Sequence, residues 1–318
     1  MKFRFVPIAG WLLVSLAQAN GDYGQQVVEL VNQERWDNGQ LAPLKKNSAL
    51  DAAAMAHSRG MAYRDFFDHC DLDNKTTPWD RMRQAGYSFH AAGENIAAGQ
   101  GDPADVMNSP GHRANILSNN FREMGVGYVL QSDDRNNIRQ DSNGDCAADR
   151  AGSGPYYRYW TQDFGRSGVY PLVIEREKDE TASPRVELYV YGQGFAREMR
   201  FQNENGSWSS WEAYAENRMW DLSAGAGSKR VSVQIRNGSA NGSAVAAASD
   251  EILLIAGCSA MNQDHYLQLA ACNTLSAGNG GFRVVAGETS FHAPRIELQP
   301  RFSVADNAVF SVTSGVPQ

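Results

Sequence analysis

The apolar residues of this chain change their period near residue 170, and that change divides what it can fold into. Over 23–36, Val27, Val28, Leu30, Val31 and Arg35 follow a helical period, and Asn38-Gly39 supplies a C-cap pair. A second helix is predicted after Asn47-Ser48, where Leu50, Ala53, Ala54, His57 and Met61 recur every three to four residues. A third, short helix starts at Thr77-Pro78 with proline in its first turn and runs to Gly86. Strand-like runs follow at 125–130 and 156–164, and the polar stretch 131–154 between them reads as a long surface loop. Beyond Tyr170 the segments 186–190, 199–202, 208–214 and 230–235 are short and β-rich, separated by Gly, Asn and Ser. That spacing predicts an all-β sandwich. The expected class is α+β: a mixed domain over 22–170, a charged linker over 171–184, a β-sandwich over 185–256 and a β-rich C-terminal module over 257–318. The Gly/Ala/Ser stretch 237–249 carries no strong helix or strand signal.

The first residues form an export address. Lys2 and Arg4 precede an apolar run over 5–16, and Ala17-Gln18-Ala19 places small residues where a signal peptidase reads them. The run is too short for a membrane span, which takes about 20 apolar residues. No second hydrophobic segment is long enough to anchor the chain. A secreted product cleaved after Ala19 is expected. The formal net charge is -7, and losing Lys2 and Arg4 makes it more acidic. Nothing resembles the basic stripe that phosphate backbones require, so nucleic acid is not an expected partner. Four cysteines suit an oxidising compartment, with Cys70 and Cys146 in the first part and Cys258 and Cys272 near the end. Local pairing is the preferred one of three connectivities, free buried thiols being the alternative. No CxxC is present, so a thiolate zinc cage is not expected.

Three segments stand out chemically: Phe66-Phe67-Asp68-His69, the run AGENIA over 92–97, and NSPGHRANIL over 108–117. The last reads as a helix start, with Ser109 as cap and Pro110 in the first turn. His112 then lies near the positive helix end, which favours a neutral imidazole, the form a metal binds. Glu94 can accept a histidine N–H and fix its tautomer, or act as general base toward a bound water. Two histidines and a carboxylate make an open zinc site one reading. Spacing alone favours the plainer one, three unrelated polar residues in an α/β domain.

The ordered set FFDHC, PWDRM, GENIA, SPGHRANIL, MGVGY and YWTQDFG, over about 23–166, resembles bacterial members of the CAP superfamily (cysteine-rich secretory protein, antigen 5, pathogenesis-related). The resemblance implies a three-layer α-β-α sandwich whose central cavity carries two histidines and acidic residues and can bind a divalent metal. Residue by residue, the cavity histidines map to His69 and His112 and the GEN carboxylate to Glu94. In the family a longer helix precedes the SPGH segment and can supply a second acid. Here only residues 102–107 precede it; Asp105 is a candidate to substitute for that acid, and a cavity left incomplete without it is the preferred reading. The run FQNENGSWSSWEAY more loosely resembles immunoglobulin-like or fibronectin-like repeats.

The remaining candidates have weaker partner logic. His57 is read as a structural, partly buried histidine on a helix face. Asp141, Asn143, Asp145 and Asp149 resemble a calcium loop, but the EF-hand glutamate at position twelve is absent and a solvated acidic loop is preferred. Trp208, Trp211, Tyr214 and Trp220 are expected to fill the sandwich core rather than form a sugar platform. The resemblance implies an extracellular binding module for a lipid, peptide or glycan ligand. A zinc hydrolase using Glu94 as catalytic base and a structural adhesin acting through the β domains remain open, and so does whether the chain is an enzyme.

Overall fold

The computed structural model describes residues 23–255 except 108 and 239–243, and beyond them the backbone of short strands between 258 and 314. The expected export leader and Cys272 lie outside the described residues. Helix α1 (Tyr23–Asp37) buries Val27, Val28 and Val31. After β1 (Lys45–Lys46), helix α2 (Ser48–Tyr63) is capped by Asn47, whose side-chain oxygen accepts from the Ala49 and Leu50 amides. Helix α3 (Pro78–Gln84) opens with a reciprocal capping box between Thr77 and Asp80. Strand β2 (Ala91–Ala98), a 3-10 turn (Pro103–Met107) and helix α4 (Pro110–Ile116) follow. Then come β3 (Glu123–Leu130), β4 (Arg139–Gln140), β5 (Arg150–Ala151) and β6 (Arg158–Arg166). The sheet order is β1-β3-β6-β2, leaving β2 at an edge. Helices α2 and α3 lie on one face, while α1, α4 and the 3-10 turn lie on the other. This is the expected three-layer arrangement.

Two glycines set the distance between layers. A Cβ on Gly125 would fall on the α2 backbone at Leu50–Asp51, and one on Gly127 on that of Ala54–Met55. Their absence lets α2 rest directly on β3, while the opposite face of β3 sends Met124 and Val126 into the core under α1. The segment expected as a surface loop, 131–154, is partly structured. It carries the β4–β5 hairpin, buries Ile138, and is tied by a Cys70–Cys146 disulfide to the loop after α2.

The second unit comprises β7 (Leu172–Ile174), β8 (Glu180–Thr181), β9 (Arg185–Val190), β10 (Glu198–Asn203), β11 (Glu212–Ala213), β12 (Asn217–Asp221), β13 (Gly227–Arg236) and β14 (Val245–Leu254). A five-stranded sheet, β11-β10-β13-β14-β8, faces a three-stranded one, β12-β9-β7. Leu172, Leu188, Phe201, Val233 and Ile252 pack between them. Three details differ from expectation. Residues 172–174 are not linker: they pair with β9 and are fully buried, because this short apolar run completes the smaller sheet. Strand β14 extends into the stretch without a signal, since ten consecutive partners on β13 supply the order that its alanines do not. Trp220 packs against the core, but Trp208 and Trp211 lie under the guanidinium groups of Arg200 and Arg236 on the outer face.

The two units meet along a polar seam. Lys45 pairs with Glu177 at 2.6 Å and with Asp250, whose other oxygen accepts the Ile174 amide at 2.7 Å. Burial and the neighbouring Asp250 push the Glu177 carboxyl up to about 8. Residues 175–177 are all left-handed (φ 46°, 57° and 68°) without a glycine, a conformation that costs roughly 1–2 kcal/mol per residue. Side chains of α1 clamp them: Asn32 donates to Arg176 O at 2.9 Å and Gln25 to Glu177 O at 2.6 Å. In the C-terminal module the described strands pair in parallel, the longest being Gly287–Ala293 with Ala308–Ser314.

Gly127→Ala should destabilise the protein by about 3 kcal/mol, the upper end of overpacking costs, because helix backbone and not a side-chain tip must move. Urea unfolding of variant and parent checks this.

Candidate functional site

The loop that follows α2 is pinned on both sides of His69. Phe66 is fully buried, the Asp68 carboxylate accepts the Cys70 amide at 2.9 Å, and Cys70 carries the disulfide. The His69 ring itself is 57% exposed, against 1% for the Glu94 side chain. His69 Nδ1 lies 2.8 Å from Glu94 Oε1, and Arg81 Nη2 donates to Glu94 Oε2 at 2.7 Å. Arg81 also donates to the carbonyls of His69 and Thr76, both at 2.9 Å. Both carboxylate oxygens are therefore engaged. Burial raises the Glu94 carboxyl, but His57, the His69 hydrogen bond and Arg81 outweigh it and hold it below its ordinary value. A carboxylate accepts, so His69 Nδ1 donates to Glu94, which leaves Nε2 as the ring nitrogen not engaged by it.

Two further residues enter this cluster that the sequence reading left outside. His57 is completely buried and not partly so; it donates from Nε2 to Asp68 O at 2.9 Å and stands 4.0 Å from Glu94 Oε1. Desolvation, the largest effect, pushes its pKa down to about 4. Asp163 is the cross-strand partner of Glu94 and is fully buried. Burial, with the Glu94 charge beside it, drives its carboxyl well above the usual carboxylate range. Arg81 stood within the motif PWDRM, where a basic residue beside Met82 on the buried face of α3 was the available signal. An acid inside a strand buried on both faces was the signal for Asp163.

His112 belongs to a different network. Ser109 Oγ accepts its amide at 3.3 Å, and its Nδ1 donates to Val106 O at 2.7 Å. Its carbonyl accepts from Asn95 at 3.2 Å, and Asn95 also donates to Gln162 at 2.9 Å. Asn115 ties this set to β2, donating to Asn95 Oδ1 at 2.7 Å and Glu94 O at 3.3 Å. Successive residues of a strand face opposite ways. Glu94 therefore turns toward α2 and α3, and Asn95 toward α4. His69 and Glu94 are brought together; His112 joins them through backbone and amides, with no side-chain bond to either. Among the described residues no three His, Cys, Asp or Glu side chains gather as a metal-holding group. Asp105 is exposed on the 3-10 turn and bonds to none of the three. In the acidic loop, Asp141 accepts the amides of Asn143, Gly144 and Cys146, and Asp149 bonds Ser142. Those oxygens shape the loop.

Replacing Glu94 with Gln leaves Arg81 as a buried cation without its anion, so Glu94→Gln should lower stability by about 3–5 kcal/mol, measured by denaturant unfolding. The His57 shift has a definite sign. Between the folded value of about 4 and the unfolded value of about 6.5, the unfolded chain binds a proton that the folded one refuses. Its contribution, about 3 kcal/mol at most, is complete above the unfolded value and is lost as pH falls through the folded one. Asp163, raised in the fold, acts in the opposite sense. The stability difference between parent and His57→Gln should therefore shrink from pH 7 to pH 4, a comparison in which Asp163 cancels.

The sequence model of the CAP family, described as the cysteine-rich secretory protein family, matches residues 28–164. The chain is 46% identical over 111 residues to the uncharacterized protein YkwD of Bacillus subtilis, spanning 34% of this chain and 42% of that protein. It is 34% identical over 107 residues to the uncharacterized membrane protein YlbC of the same organism, spanning 32% and 30%. The chain thus spans less than half the length of these curated relatives. Among solved structures, an extracellular protein containing a SCP domain from Bacillus anthracis aligns with 28% identity and a TM-score of 0.34, over 46% of this chain and 40% of that one. An outer surface protein of Borrelia burgdorferi aligns at 16% identity and a TM-score of 0.35, over 45% and 90%. With six ordered motifs, the helix–sheet–helix layering and the family match in one stretch, residues 28–164 form a domain of the CAP (cysteine-rich secretory protein) family.

Proposed function

We propose that this protein acts outside the cytoplasm as a binding protein, its CAP domain receiving a polar ligand group at the β2 edge, where His69 presents Nε2. The ligand is a lipid headgroup, a peptide or a glycan. The observation that carries this reading is the double engagement of Glu94, one oxygen on His69 at 2.8 Å and the other on Arg81 at 2.7 Å. A general base needs an oxygen within reach of the proton it takes. Glu94, buried and bonded on both oxygens, is built to orient an imidazole. It is a positioning residue.

An extracellular place is supported by the leader over 1–19 and by the Cys70–Cys146 disulfide, which persists in oxidising compartments. No helix among the described residues is long and apolar enough to cross a membrane. The zinc-hydrolase reading ranks below binding. An open catalytic zinc site uses three protein ligands, and the imidazoles of His69 and His112 supply two from separate networks. Should zinc enter, these two rings are the ligands to hold it.

Native mass spectrometry of the exported chain is the test. The expected result is a co-purifying ligand mass that His69→Ala loses, with no hydrolysis of p-nitrophenyl acetate in added zinc. Retention of that mass at full occupancy in His69→Ala would overturn the binding reading. Zinc-dependent turnover abolished in Glu94→Gln would restore the hydrolase.

A further inference from the structure

The seam between the CAP domain and the sandwich encloses a cleft of about 510 Å³, within the size range of small-ligand sites. One wall is the end of α1, the segment 40–43 and the chain leading into β3; the other is β9 with the turns near Gly192 and Asn217. Arg35, Arg122, Arg166 and Arg176 all line it. None of the four forms an ion pair with a carboxylate among the described residues.

Arg35 carries the argument. It has no exposed surface. Its Nε donates to Ala42 O at 2.7 Å, and Nη1 to Ile116 O and Ser118 O at 2.6 and 2.9 Å, all neutral acceptors. Nη2 is buried with no partner. A guanidinium does not shed its proton, and a buried cation without an anion is unfavourable. Two of the other three arginines are held by aromatic faces. Arg122 stands over Tyr170 and Tyr191 at 5.0 and 5.5 Å, and Arg176 over Trp36 at 4.6 Å. Tyr189 adds a further ring to the wall. Glu187 and Glu216 also line the cleft, so cations exceed anions there by two.

We propose that this interdomain cleft binds a small organic anion, a carboxylate or phosphate group carried on a flat ring. The half-buried guanidinium forks of Arg122 and Arg166 take the anion, whose paired oxygens match their geometry; the buried Arg35 adds its unbalanced charge from within the wall, and the aromatic wall takes the ring. The site is separate from the His69 edge and stands or falls without it.

The test is isothermal titration of the full exported chain at fixed ionic strength with phenyl phosphate and benzoate, using inorganic phosphate and phenol as partial probes. One equivalent of phenyl phosphate or benzoate should bind, more tightly than inorganic phosphate, while phenol gives no heat. The tighter of the two anions names the source of charge. Arg166→Gln should weaken Kd about tenfold, the loss of one charge-assisted contact, and His69→Ala should leave it unchanged. Arg122→Gln serves as a second variant, with thermal melts confirming that both fold. No heat from either aromatic anion at millimolar concentration, or affinity unchanged within about twofold in both arginine variants, would overturn the proposal. So would inorganic phosphate binding as tightly as phenyl phosphate.

Discussion

The buried Glu94–Arg81 ion pair holds together the candidate site at the β2 edge of the CAP domain. Glu94 comes from the edge strand β2 and Arg81 from the short helix α3, and the same guanidinium grips the carbonyls of His69 and Thr76. One interaction thus joins the sheet, the second helical layer and the histidine loop. Such a pair contributes little net stability, because desolvation offsets most of its attraction, yet losing one partner is costly. Its value lies in geometry. With both partners in place, His69 has one favourable orientation.

That orientation depends in turn on how closely the helical layer can approach the sheet. Gly125 and Gly127 allow α2 to rest on β3 without intervening side chains. The close approach carries His57 to within 4.0 Å of Glu94 and buries it so completely that its charged form is disfavoured. Asp163, the cross-strand partner of Glu94 on β6, has its carboxyl driven well above the usual range by the same dryness. The site is a carboxylate balanced by one permanent cation, with two buried neighbours, His57 and Asp163, pushed toward their neutral forms.

The seam with the second unit follows a similar rule. Lys45 faces two acids, and burial with Asp250 nearby raises Glu177 so that the cluster tends toward one cation and one anion. The left-handed turn at 175–177 is retained because Gln25 and Asn32 of α1 donate to its carbonyls. Arg35, also on α1, departs from that rule with the other arginines of the cleft: its charge meets only neutral carbonyls.

Much of this was legible in residues alone. Asn47 and Thr77 act as the helix starts their types announce, and the helical period over α1 and α2 and the alternation in β9 and β13 follow the face each element buries. The motifs located His69, Glu94 and His112 along the chain. What the motifs left open is which side chains meet. Glu94 and Asn95 are neighbours in sequence but serve opposite faces of the sheet, so His112 enters Asn95's network and His69 enters Glu94's. Arg81, His57 and Asp163 joined the site only through packing of distant elements, and residues 172–174 became strand because an unfilled edge awaited them. Local composition and period determined the elements and the layered class, since both act over a few residues. Partners, protonation states and the interdomain cleft were decided by tertiary structure, because burial and charge depend on atoms that the chain brings together only when folded.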